Sequence, residues 1–262
     1  MAMKKSSAPA KKKAGAEDET IIYKVMIAIV AACVLVIAVQ VTCRYYATAG
    51  GFTAIRSALA AAAIVLAALT AADAVLTAVL HGKKAFFRKA GWPLFWFLGL
   101  AAGGALLLQH YWVKAAPVVY FVYIAAAVLY LIYLLYQREF FLISLLTIAA
   151  GGGFYLLSRL YGGGVISRAA AALNVLLFLL LILSELLALL TAKRDGCLKL
   201  GGKDVRVFRP GFSPLYLHVT CGVWAVCLAA SMVFGSVFAY YCMFAAAAYE
   251  LIAACYFTVK LS

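Results

Sequence analysis

Residues 168–192 read RAAAALNVLLFLLLILSELLALLTA: no proline, no glycine, an arginine at the start and one glutamate at 185. At 1.5 Å per residue a helix of this length is about 37 Å long, enough to cross the roughly 30 Å hydrocarbon core of a bilayer. Seven more apolar runs flank it, at 21–42, 56–80, 92–110, 116–136, 139–161, 214–234 and 237–259. The whole chain of 262 residues is 68% hydrophobic and 12% charged, with a mean hydropathy of +1.04. Soluble domains run near 45–50% apolar and about 25% charged, so this chain has too little charge to cover a water-facing surface. The pattern predicts an all-α integral membrane protein of eight transmembrane helices. It excludes a soluble enzyme, a disordered chain and a disulfide-stapled secreted domain.

The edges of the runs carry start and stop signals. Trp92–Pro93 and Ser213–Pro214 each set a proline at an expected first helical turn, where its missing N–H is harmless. Gly235–Ser236 leaves room for only a tight turn between the last two runs. Residues 1–20 are rich in Lys, Ala and Pro and are expected to form a flexible basic tail. The first run is too long for a signal-peptide core and is expected to remain as a span.

The 23 Lys and Arg residues set the orientation. With the N-terminus inside, the segments around Lys4–Lys13, Lys83–Lys89, Arg138 and Lys193–Arg209 all fall inside. Arg44, Arg56, Lys114, Arg159 and Arg168 fall outside. The imbalance predicts that both termini are cytoplasmic, N-in and C-in. The net charge of +14 therefore points to anionic lipid headgroups as partners of the cytoplasmic basic loops, beside the bilayer itself. A nucleic-acid partner is not expected, because these loops are too short to hold a binding module. Within the loop 193–213, CLKLGGKDVRVF (197–208) alternates about Gly201–Gly202. It reads either as a small hairpin or as an irregular basic loop.

An internal repeat is expected. Gly50–Gly51, Arg56 and Asp73 correspond to Gly162–Gly163, Arg168 and Glu185 at one constant offset. The domains expected are a four-helix unit over 21–136 and a second over 137–262. An even number of helices in each makes the two repeats parallel.

Three carboxyls stand inside runs: Asp73, Glu185 and Glu250. Each lies eight to ten residues before a cytoplasmic lysine, about 12–15 Å above it. An aspartate at a helix centre costs about 2.5–3.5 kcal/mol on insertion, so these groups are expected to face protein, carry a proton, pair or line water. Thr70 and Thr77 share the helical face of Asp73, and Asn174 stands three turns from Glu185 on its face. Alanines at helical spacing about Glu250 let another helix approach. Tyr123, Tyr130 and Tyr133 are candidate hydroxyl partners, with core packing the role more expected of them. Gly151, Gly152 and Gly153 fall mid-run and mark a candidate helix break, a feature of transporter substrate sites, or else a close packing contact.

The seven cysteines and three histidines show no metal-ligand spacing, and no nucleotide or cofactor motif appears. No metal or cofactor is expected. A small secondary transporter or permease using the intramembrane carboxyls is the first functional expectation. A non-catalytic scaffold, or a subunit held to a membrane-protein partner, is the second. An enzyme is third, for want of a dense polar cluster. A bacterial cell membrane is the expected location.

Overall fold

The computed structural model describes residues 9–46, 48, 51–80, 85–162, 165–192, 196–200, 203–206, 208 and 214–261. Lys83, Lys84, Lys193, Arg194, Arg209, Gly50, Gly163 and the turn Gly201–Gly202 lie outside them. Every element longer than four residues is a helix. The helices are α1 (Pro9–Tyr46), α2 (Gly51–Leu80), α3 (Ala85–Tyr111), α4 (Ala116–Leu135), α5 (Arg138–Leu160), α6 (Arg168–Ala192), α7 (Leu215–Phe234) and α8 (Ser236–Leu261). Among the described residues seven helical stretches are long and apolar enough to cross a membrane; the third, Gly91–Leu135, holds both α3 and α4. This is a multi-pass membrane protein.

Two boundaries differ most from expectation. α1 begins at Pro9, inside the stretch expected to be a tail. Ala and Lys are good helix formers, and a helix already nucleated in the apolar run extends into them at little cost. α3 begins at Ala85, so Pro93 lies inside the helix and not in its first turn. The proline ring is compatible with helical φ, and only the bond to residue 89, near the helix end, is forgone.

The chain divides into two compact units, Met1–Leu131 and Ile132–Ser262. In the first, Val39 of α1, Leu108 of α3 and Val119 and Tyr123 of α4 form a small core, with Leu59 of α2 against it. A 3-10 turn, Trp112–Ala115, joins α3 to α4. Trp112 takes a left-handed φ of +57°, a conformation that costs a non-glycine residue about 1–2 kcal/mol. Its ring packs edge-on against Phe52 at 4.8 Å, and Phe52 meets Tyr46.

The second unit has the larger core, centred on Trp224, Phe140, Phe154, Ile143 and Leu157. α5 runs without interruption through Gly151–Gly153, so of the two alternatives the structure shows close packing and not a break. A side chain at Gly151 would come within 3.2 Å of Ala246 Cβ, and one at Gly153 would collide with Leu177. These glycines let α8 and α6 press against α5, and that packing holds the helix whole. Gly235 links α7 to α8 alone, at φ +78° and ψ −153°, where only glycine is comfortable.

Short strands serve the connections. Tyr161–Gly162 (β1) pairs with Val165–Ile166 (β2). Cys197–Leu200 (β3) pairs antiparallel with Lys203–Arg206 (β4), Leu200 opposite Lys203. Gly196 and Phe208 close the base of this hairpin, Gly196 N–H donating to the Thr191 carbonyl and Phe208 N–H to that of Gly196. Phe208 then inserts into the second core.

Candidate functional site: three seams around buried carboxyls

Each intramembrane carboxyl lies on a different helix seam. Asp73 of α2 faces α3 and is 6% exposed; its Oδ2 is sealed from solvent with no hydrogen-bond partner. α2 and α3 pack closely because Gly91 sits directly on Thr77 and Gly99 lies beside Thr70. Thr70 returns its hydroxyl to the Leu66 carbonyl at 2.7 Å, while the Thr77 hydroxyl is buried and unpartnered. Thr77 also lines a groove of about 380 Å³ with Ala74, Ala78, Trp92 and Phe95. Phe95 borders a second groove of about 360 Å³ that passes Gly103 and Gly104 to Tyr123.

Glu185 of α6 meets His218 of α7: its Oε1 contacts the imidazole Nδ1. Both side chains are about one-third exposed, at 35% and 30%. Beside the pair, Ser184 Oγ and Cys221 Sγ lie 3.2 Å apart, and Ser184 also donates to the Leu181 carbonyl. Glu185 is thus a partnered carboxyl, although its Oε2 has no hydrogen bond.

Glu250 of α8 faces α5. Phe140 stacks obliquely on Phe257 at 5.1 Å, and Gly151 abuts Ala246, which sets an antiparallel register. Four residues back from Gly151 is Thr147, and four residues on from Ala246 is Glu250. Ser144 stands one turn further along the same face of α5. Neither makes a hydrogen bond. Ser144 Oγ, Thr147 Oγ1 and both oxygens of Glu250 are buried without partners. Next to Glu250, Tyr249 and Thr220 of α7 share a 2.6 Å hydrogen bond, with Trp224 edge-on to the Tyr249 ring.

Hydroxyls in helices ordinarily bond back to a carbonyl three or four residues earlier. Thr42, Thr70, Ser158, Thr191, Thr220 and Ser231 all do so. Among the described residues, the three buried hydroxyls that do not are Thr77, Ser144 and Thr147. They are the hydroxyls on the seams of Asp73 and Glu250, which, unlike Glu185, have no basic partner among the described residues.

Of the other expected residues, Asn174 is buried and structural: its Nδ2 donates to Tyr161 Oη at 2.7 Å and to the Ala170 carbonyl at 3.0 Å. Tyr123 serves no carboxyl, since its hydroxyl donates to the Leu100 carbonyl at 3.3 Å. Gly151–Gly153 act as contact residues, as above. Ser144, Thr147 and His218 were not legible as site residues. His218 looked isolated because its partner stands 33 positions away, on the preceding span. The available signal was two ionisable residues near the facing ends of consecutive spans. Glu139, which reads as a loop residue, is buried in the first turn of α5. All seven cysteines are free thiols.

No family model, curated protein or solved structure matches the chain.

Proposed function

We propose that the chain crosses a bacterial cytoplasmic membrane eight times, N-in and C-in, and works as a small secondary transporter through its intramembrane carboxyls. The eight-span count draws support from Tyr123, whose hydroxyl reaches the Leu100 carbonyl 23 positions earlier. A straight helix would hold those positions about 35 Å apart, so α3 and α4 fold back on each other. The orientation draws support from the excess of basic residues in the segments assigned to the inside, which also suit anionic headgroups.

One observation carries the transport reading: Asp73 Oδ2 and both Glu250 carboxyl oxygens are kept out of water with no basic partner and no hydrogen bond among the described residues. Burying such a group is expensive, and packing alone gains nothing from it. A carboxyl that takes up and releases a cation repeatedly does need that arrangement.

A scaffold bound to another membrane protein is the second reading. It is favoured by the Glu185–His218 contact, which satisfies a carboxyl structurally, and by α1, whose apolar window is only 6% buried.

The test is uptake by purified protein in sealed vesicles under imposed sodium or proton gradients, against a panel of labelled amino acids, sugars, organic acids and amines. Gradient-driven uptake that disappears in the combined Asp73→Asn, Glu185→Gln, Glu250→Gln variant supports the proposal. Undiminished uptake by that variant removes the carboxyl mechanism.

A further inference from the structure

The α5–α8 register brings to one level four buried oxygens that have no hydrogen-bond partner: Ser144 Oγ, Thr147 Oγ1 and both carboxyl oxygens of Glu250. Ser144 is 0% exposed and Thr147 is 1% exposed. Each hydroxyl forgoes the carbonyl of its own helix, which lies within reach and which hydroxyls elsewhere in the chain use. Polar atoms sealed from water are normally paired, and a lipid surround gives them no alternative partner. Buried oxygens gathered on one seam and left without hydrogen-bond partners are a donor set for a small ion.

We propose that Glu250, Ser144 and Thr147 bind one sodium ion between α5 and α8, and that this is the coupling cation of the transporter proposed above. The coupling role rests on the transport reading; the binding does not. The donors are carboxylate and hydroxyl oxygens, which suit hard cations. Among the described residues no three His, Cys, Asp or Glu side chains gather as a softer metal would require, and His218 of α7 is held by Glu185. The charge selects valence: one carboxylate and one monovalent cation cancel, whereas a divalent ion leaves net charge in a low-dielectric seam. The small contact of Gly151 with Ala246 keeps the two helices close enough for donors from both to reach one ion.

The experiment is radioactive sodium binding to the purified full chain in detergent, measured by scintillation proximity, with far-UV circular dichroism as the folding control. Saturable binding is expected, displaced by unlabelled sodium and not by choline. Glu250→Gln abolishes it. Ser144→Ala and Thr147→Val each weaken it roughly tenfold, the loss of one contact to a charged group. Ser158→Ala, whose hydroxyl bonds within its own helix, leaves it unchanged. A folded wild-type protein with no saturable sodium binding overturns the proposal, as does binding that survives Glu250→Gln. Solute uptake at full rate without sodium overturns it too, while keeping the transport reading. Sodium binding by a protein that takes up no solute keeps the site and retires the transporter.

Discussion

α1 and α5 open the two units and are built on opposite terms. The span in α1 has a mean hydropathy of 2.8 and is 6% buried; that in α5 has 2.0 and is 56% buried. In water the more apolar helix would be the one inside. In a bilayer, lipid solvates Leu and Val as well as protein does, so burial follows small residues and polar contacts instead. α5 carries Gly151, Gly153, Ser144 and Thr147 on its packed faces, while α1 exposes Ile27, Val30, Val34 and Ile37. The carboxyls divide differently. Glu185 of the second unit has a histidine; Asp73, its counterpart by the repeat offset, has none.

The largest expected contrast tests packing. Trp224→Ala removes a ring 1% exposed and packed on Phe154 and Tyr249, and should destabilise by about 3–5 kcal/mol. Trp96→Ala, in the first unit, removes a ring 63% exposed and should cost less than about 1 kcal/mol. Equal shifts in thermal unfolding in detergent would break the contrast between the units.

Next come the links between helices. Gly235→Ala forces a Cβ onto φ +78°, ψ −153° and should cost about 1–3 kcal/mol. The corresponding reversal in the first unit already tolerates Trp112 at φ +57°, in the left-handed well that side chains can occupy. Loss of stability on Gly235→Ala comparable to that of an exposed helix substitution would contradict this difference.

The carboxyl contrast is smaller and sharper. His218→Ala leaves Glu185 without its partner and should destabilise by about 1 kcal/mol, the partial exposure of the pair limiting the loss. Asp73→Asn replaces a buried carboxyl whose Oδ2 has no hydrogen-bond partner, so stability should hold or rise. Comparable losses in urea-dependent unfolding would mean that Asp73 has a structural partner.

The smallest effects come from glycines with room around them. Gly103 in the first unit and Gly222 in the second have no atom within 4 Å of an added Cβ. Alanine at either should stabilise by about 0.5–1 kcal/mol, the helix-propensity gain alone. A loss at one and a gain at the other, read from melting temperatures, would show that the two faces are not equally open.

Local sums of side-chain transfer energy determined the spans: an uninterrupted run such as 168–192 can be satisfied only as a helix in lipid. The same sums marked Asp73, Glu185 and Glu250 as costly and therefore expected to face protein. Which partner each found was decided by tertiary structure. His218 reaches Glu185 because α6 and α7 lie side by side. Ser144 and Thr147 matter because the α5–α8 register brings Glu250 to their level. The three glycines of α5 show the limit most clearly. Their propensity cost is a local quantity and argues for a break, whereas the close approach of Ala246 and Leu177 that keeps the helix whole depends on contacts between residues far apart in the chain.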